Sequence, residues 1–319
     1  MRHARVRRAV AGLTALALGV TGAVAATQPA LAAEPQLVAH YLLDETSGTV
    51  ATDASGSGKN ATYVGGPTLT GGEGVRLDGT DDHIRLPNNF LAGLDSISVS
   101  ADVLVRASQA TAYFIYGFGN TDGSGVGNGY LYSTGNTYKT SIATGNWTTE
   151  QTVNSNANLT RDVWKTITYT LDDATDTARV YLDGVQVGQS TGITTKPSAI
   201  GGGVTTANYL GRSVYNADKY LAGSLRNVRI YDSALTATEV AALAPTDATR
   251  VQRDAASLSL GDLTAVTANL TLPSTAANGS SVTWATSNAG VISAAGGVTR
   301  PAAGPPPPAP TLPAGGPPP

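Results

Sequence analysis

The chain has 319 residues, with 20 Lys+Arg against 23 Asp+Glu and no cysteine. A weakly acidic chain is not built to bind a phosphate backbone. Without thiols, neither a disulfide framework nor a thiolate zinc site can hold the fold, which must rest on its apolar core. Charged residues make up only 13% while glycines number 37, and a composition rich in Gly, Thr, Ser, Asn and Tyr suits short strands and many turns, so the expectation is an all-β fold.

Arg2, Arg5, Arg7 and Arg8 precede an Ala/Leu/Val/Gly stretch from Ala9 to Ala26 that ends at Ala30-Leu31-Ala32, a small-x-small pattern. Diluted by Gly and Thr and leading into a processing site, residues 1–32 read as a secretory signal peptide and not as a membrane span. Its removal leaves 16 basic against 23 acidic residues, a net charge of −7. Export without cysteine fits a bacterial extracellular protein, expected to be a monomer.

Period-two alternation and short β-branched or aromatic runs predict strands over Leu37–Leu43, Gly74–Leu77, His83–Leu86, Ser96–Val105, Ala112–Phe118 and Gly129–Ser133. Further strands are predicted over Lys139–Ala143, Trp147–Val153, Trp164–Leu171, Ala178–Leu182, Asn208–Gly211 and Leu221–Tyr231. Asp183-Gly184, between two apolar runs, predicts a tight hairpin turn of the primed type. After Leu235, Thr236 and Glu239 stand in capping-box spacing ahead of a short helix. Residues 36–244 thus form one large sandwich, followed by a linker and a helix over Ala248–Leu258. The strand signals of Leu270–Pro301 belong to a unit too short to close a sandwich, spanning 245–301, and residues 302–319 form a Pro/Ala/Gly tail expected to be disordered. A domain that ends in mid-strand reads as a truncated or frame-shifted form of a longer chain.

Several motifs in order carry a family likeness: His40-Tyr41-Leu42-Leu43-Asp44-Glu45, Asp53-Ala54-Ser55-Gly56, Leu77-Asp78-Gly79-Thr80-Asp81-Asp82, Val180-Tyr181-Leu182-Asp183-Gly184 and Val228-Arg229-Ile230-Tyr231-Asp232. With Ala234-Leu235-Thr236 and Glu239-Val240 they resemble the laminin G-like jelly roll of bacterial extracellular proteins, a concanavalin A-like fold. Leu272-Pro273, Asn278-Gly279, Val282-Thr283-Trp284 and Val298-Thr299-Arg300-Pro301 resemble the atrophied bacterial immunoglobulin-like domain. The pairing is similar to the accessory region of secreted glycoside hydrolases, notably arabinofuranosidase-type enzymes. Arg226 departs from the family, which usually has Asp there.

The resemblance implies a structural calcium held by some of Asp53, Asn60, Asp81, Asp82 and Asp232. The glycine-rich Asp53–Asn60 loop, with alternate oxygen-bearing side chains, could wrap a hard cation, and an Asx-turn loop is the competing reading. No catalytic set emerges. Gly188-Gln189-Ser190-Thr191-Gly192 fits a nucleophile elbow, but Pro197 and three glycines follow where a helix is needed. His40 and His83 lie in separate strand-like runs, and the adjacent acid pairs Asp81-Asp82 and Asp172-Asp173 look like turn residues.

Sugar binding needs an aromatic face flanked by polar groups. The loops supply Tyr113, Tyr116, Tyr130, Tyr132, Tyr138, Trp147, Tyr215 and Tyr220 among Asn and Asp residues, with Tyr116, Trp147 and Tyr215 the expected exposed platforms and Trp164 and Trp284 core. The expectation is a non-catalytic carbohydrate-binding module, the accessory part of a polysaccharide-degrading hydrolase, with a plant-type polysaccharide as its partner. The alternative is a cell-surface adhesion, protein-interaction or spacer domain.

Overall fold

The computed structural model describes residues 34–264 and 266–300. The expected signal peptide (1–32) and the proline-rich tail (302–319) therefore lie outside the described residues. Strands in the first half are β1 (Leu37–Tyr41), β2 (Val50–Ala51), β3 (Ala61–Val64), β4 (Thr68–Leu69), β5 (Val75–Asp78), β6 (His83–Arg85), β7 (Ile97–Val105) and β8 (Tyr116–Thr121). The second half adds β9 (Gly127–Thr134), β10 (Lys139–Ala143), β11 (Gln151–Asn154), β12 (Lys165–Asp172), β13 (Thr177–Leu182), β14 (Val185–Thr191), β15 (Ala207–Leu210) and β16 (Ala222–Tyr231). Helices α1 (Ala237–Leu243) and α2 (Asp247–Ser257) follow.

These strands make two antiparallel sheets that pack as a sandwich. The first runs β14-β13-β12-β7-β16-β5-β4, with β1 also on β16, and the second runs β11-β10-β9-β8-β15-β6-β3-β2. The shared core follows from alternation. On β7, Ile97, Val99, Ala101, Val103 and Val105 turn inward, and on β12 so do Ile167, Tyr169 and Leu171; both sets meet Tyr116, Phe118, Leu131 and Ile142 of the second sheet. Each of the larger aliphatic side chains among them contributes about 1.5–3 kcal/mol on burial, and these contacts do the work that disulfides do in cysteine-bonded folds.

Most expected strands form, and the differences have physical reasons. Strand β14 was not anticipated because it is an edge strand whose side chains are largely exposed, which leaves no apolar alternation to read. It is reached through the expected turn, where Asp183 and Gly184 both take positive φ, at 51° and 82°. Ser190 of the G-x-S-x-G run sits on this strand and donates to Thr152 O at 2.8 Å, so no strand-to-helix elbow exists. The Thr236–Glu239 capping box is present at α1. Over Leu270–Pro301, however, the expected strands reduce to the isolated bridges Thr275–Ser281 and Ile292–Val298 among the described residues. Most side chains there remain exposed, with no sheet to cover them.

What holds this second segment is polar. Asn227, at φ 57°, marks a bulge in β16 that re-aims Arg226 beside Asp102 of β7. Both side chains are about 95% buried, and Arg226 Nε donates to Asp102 Oδ2 at 3.3 Å while its guanidinium lies 4.0 Å from the Trp164 ring centre. Its Nη2 donates to Asn278 Oδ1 at 2.7 Å, and the Asn278 backbone and side-chain amides donate to Asp254 of α2. Trp164 N–H adds a bond to Ala277 O at 2.7 Å. The departure of Arg226 from the family pattern thus has a structural role: it pins the immunoglobulin-like segment to the sandwich.

Burial opposes ionisation of Asp254, but its bonds from Ser280 and Asn278 outweigh that and hold the carboxyl below the usual aspartate range. Its stabilising contribution is therefore complete above about pH 4, the unfolded aspartate value, and is lost as pH falls through the folded value. Asp254→Ala, which strands two buried Asn278 N–H groups and the half-buried Ser280 N–H, is expected to cost about 2–4 kcal/mol in urea unfolding, and Asp254→Asn is expected to flatten the acid limb of the stability profile.

Candidate functional site

The site starts from β8, whose Tyr-Gly-Phe-Gly sequence puts Tyr116 and Phe118 on the inner face and leaves Gly117 and Gly119 bare on the outer one. Opposite them on β9 stand Tyr132 and Tyr130. The bare strip lets residues 212–214 cross the sheet: a Cβ on Gly117 would lie 3.1 Å from Arg212 O and Val214 N. Val214 thereby joins Tyr130, Tyr132, Ala143 and Ala207 in a second apolar cluster, with Phe114, Tyr209 and Tyr215 packed against it.

Tyr116 is the correction to the expected platforms. It is 1% exposed and stacked on Phe118, at 4.9 Å between ring centres, because strand alternation sends it into the core. Trp147 is 68% exposed. It lies not in a strand but in a short 3₁₀ turn, Trp147–Thr149, capped by Asn146, whose side chain accepts from Thr148 N–H. Tyr215 is half-buried beside it.

Trp147 and Tyr215 line one cleft of about 200 Å³ with Phe114, Tyr132, Glu150 and Asp218. A relay of hydrogen bonds fixes its walls. Trp147 N–H donates to Tyr215 Oη at 3.0 Å. Tyr215 and Tyr130 hydroxyls lie 3.2 Å apart, and Tyr130 donates to Glu150 Oε1 at 2.8 Å. Since Tyr130 has one proton and spends it on Glu150, Tyr215 is the donor between them. Tyr132 donates to Glu150 Oε2 at 3.0 Å, and Lys139 Nζ stands 3.4 Å from the same oxygen. Burial first, and then the bond to Glu150 and its charge, push the Tyr130 phenol far above its ordinary value. Burial also raises Asp218, against the opposing bond from Ser213. An aromatic rim above oriented carboxylates can stack one sugar face and accept its hydroxyls.

Phe114 and Glu150 were not among the residues picked out from sequence. Glu150 could have been found through its three-residue separation from Trp147, whereas Phe114 carries no local signal. The histidines do not join the cleft as a pair: His40 Nε2 pairs with Asn227 Oδ1 at 3.1 Å, and His83 Nδ1 with Asp81 O at 2.8 Å.

A family model for the concanavalin A-like lectin/glucanases superfamily matches residues 78–241, just over half of the chain. The chain belongs to that superfamily. A model for the atrophied bacterial Ig domain matches residues 251–314. Among solved structures, domain 4 of AbnA, a GH43 extracellular arabinanase from Geobacillus stearothermophilus in complex with arabinotriose, is 23% identical with a TM-score of 0.52. That match covers 67% of this chain and all of the domain. Trypanosoma rangeli sialidase is 15% identical at a TM-score of 0.48, over 65% of this chain and 32% of the enzyme. The botulinum neurotoxin serotype C1 binding domain is 13% identical at 0.47, over 65% and 51%. No curated protein sequence matches.

In this lectin-like domain Asp53 and Asn60, of the residues expected to hold a metal, meet in one loop, and Asp81 and Asp82 meet at Asp78. Asp53 Oδ1 accepts from His40 and Ser55 N–H, and Oδ2 from Ser57 Oγ and Lys59 N–H. Four donors fill the four acceptor positions of a carboxylate, so the loop satisfies itself as an Asx turn. Burial works against its charge, but these bonds hold Asp53 well below the usual range. Asn60 Oδ1 is spent on Asp53 N–H, and Asp232 on Gln36 N–H. Among the described residues the acids that gather are Asp78, Asp81 and Asp82, with ligand oxygens within 4.8 Å of one another. Burial first, then the charges of Asp78 and Asp81, raise Asp82. Such oxygen donors suit a hard cation like calcium and are equally at home in a solvated turn.

Gly127 shows how narrowly the cleft is built, since a Cβ there would stand 2.3 Å from the Tyr215 ring. Gly127→Ala is expected to displace Tyr215 and lower the Tm by several degrees, with the Tyr215 ring resonances shifted in NMR spectra and the main core unchanged.

Proposed function

We propose that the Trp147–Tyr215 cleft binds carbohydrate and that the chain is a non-catalytic, exported module that holds a polysaccharide for an attached hydrolase. The observation that carries this reading is the exposed indole of Trp147. Its backbone is fixed by Tyr215, and it stands beside oriented hydroxyl acceptors at Glu150 and Asp218. A largely solvated tryptophan is poorly explained by stability, and a sugar face is its natural complement.

The cleft lies below the roughly 300 Å³ at which drug-sized pockets begin, a size for one or two sugar rings and not a buried chain. The arabinanase domain that shares the fold was solved with arabinotriose, which makes arabinan the first glycan to try. The non-catalytic part of the reading is supported by the tethering of His40 and His83 to strand and loop partners and by the position of Ser190 on an edge strand. A module of this kind raises the local concentration of whatever is joined to it, with no chemistry of its own.

Titration calorimetry of the chain with arabino-oligosaccharides tests the reading. Binding in the micromolar to millimolar range is expected, and Trp147→Ala should weaken it at least about tenfold, the loss of roughly 1.4–3 kcal/mol of stacking and burial. Unchanged affinity in Trp147→Ala would remove the cleft from the reading, and an exposed single tryptophan tolerates that substitution without loss of the fold.

A further inference from the structure

Two carboxylates line the cleft, and no Lys or Arg is among its six lining residues. The cation beside it, Lys139, is already engaged with Glu150 Oε2 at 3.4 Å. An ionised carboxylate only accepts hydrogen bonds, so Glu150 and Asp218 suit a ligand that presents hydroxyl donors. Stacking on Trp147 does not distinguish a neutral ring from an acidic one, because both offer the same C–H face. Discrimination therefore falls to the charges.

Resting on the carbohydrate reading above, we infer that the cleft takes neutral, hydroxyl-rich sugars and rejects uronates, with Glu150 and Asp218 as the discriminating residues. A uronate carboxylate in the cleft would face two acceptors with no proton to share. Glu150 cannot swing aside to relieve this: Tyr130 and Tyr132 hold one oxygen each, at 2.8 and 3.0 Å. Asp218 follows the segment that crosses Gly117 and lines the cleft with Phe114 and Tyr132. The repulsion acts in a half-buried site where solvent screening is reduced, so it is larger than between surface charges.

The test is calorimetry of the full chain near neutral pH with a neutral arabino-oligosaccharide and with an oligogalacturonate of equal length. The oligogalacturonate is expected to bind at least about tenfold more weakly, and Asp218→Asn or Glu150→Gln should narrow that ratio several-fold. Oligogalacturonate binding as tightly as the neutral sugar, or a ratio unmoved in both variants, overturns the inference and leaves the carbohydrate reading standing. If neither sugar binds, both fall together. Two isosteric variants guard against one of them perturbing the fold, and raised salt should shrink the ratio if it is electrostatic.

Discussion

The arrangement depends on one close approach: the backbone of residues 212–214 lying against the bare outer face of Gly117. Even a methyl group at Gly117 would press on the backbone of residues 212–214, and any larger side chain would displace the segment that leads to Tyr215 and Asp218. The loop is in turn what closes the second apolar cluster, so packing and site geometry come from a single contact. Because Tyr215 also accepts the Trp147 backbone N–H, even the solvent-facing indole is indexed to this crossing. The rim of the cleft is thus rigid although it is built from loops, the condition under which polar groups can discriminate among ligands without a large ordering cost.

The large-scale fold was legible in the sequence because sandwich strands bury one face, and period-two alternation records this directly on β7, β12 and β16. The hairpin at Asp183-Gly184 and the capping box at Thr236–Glu239 were legible for a related reason: a few local bonds decide each. Strand β14 and the short β2, β3 and β4 were missed, since edge strands and strands of two to four residues owe their existence to neighbours and not to their own pattern. The strand signals after Leu270 illustrate the converse, with propensity present but no sheet to join.

For the site, two of three aromatic platforms fell in one cleft and the third did not. The information needed to exclude Tyr116 was there in the Tyr-Gly-Phe-Gly alternation, which puts both rings on one face and the glycines on the other. Counting exposed-looking tyrosines obscures that, because a tyrosine serves equally as core filler and as platform. The Asp53 loop reads equally as a cation loop and as an Asx turn in sequence, and what decides its local bonding is that the carboxylate finds three backbone N–H groups and the Ser57 hydroxyl within reach. Arg226 could not be interpreted alone. Its meaning depends on Asn278 and Asp254, partners 52 and 28 residues away, joined to it only by the fold.

The three tryptophans occupy three different environments. Trp164 is buried beneath the Arg226 guanidinium, Trp284 is half-buried with its indole N–H on Pro273 O, and Trp147 faces solvent. The protein therefore carries its own optical reporters. Contact at the cleft would alter the reddest, most quencher-accessible part of the intrinsic emission, while separation of the two modules would alter the part that a neighbouring cation now shields. The two events can be told apart in one spectrum, without a label, because the chain distributes its indoles between the site and the seam.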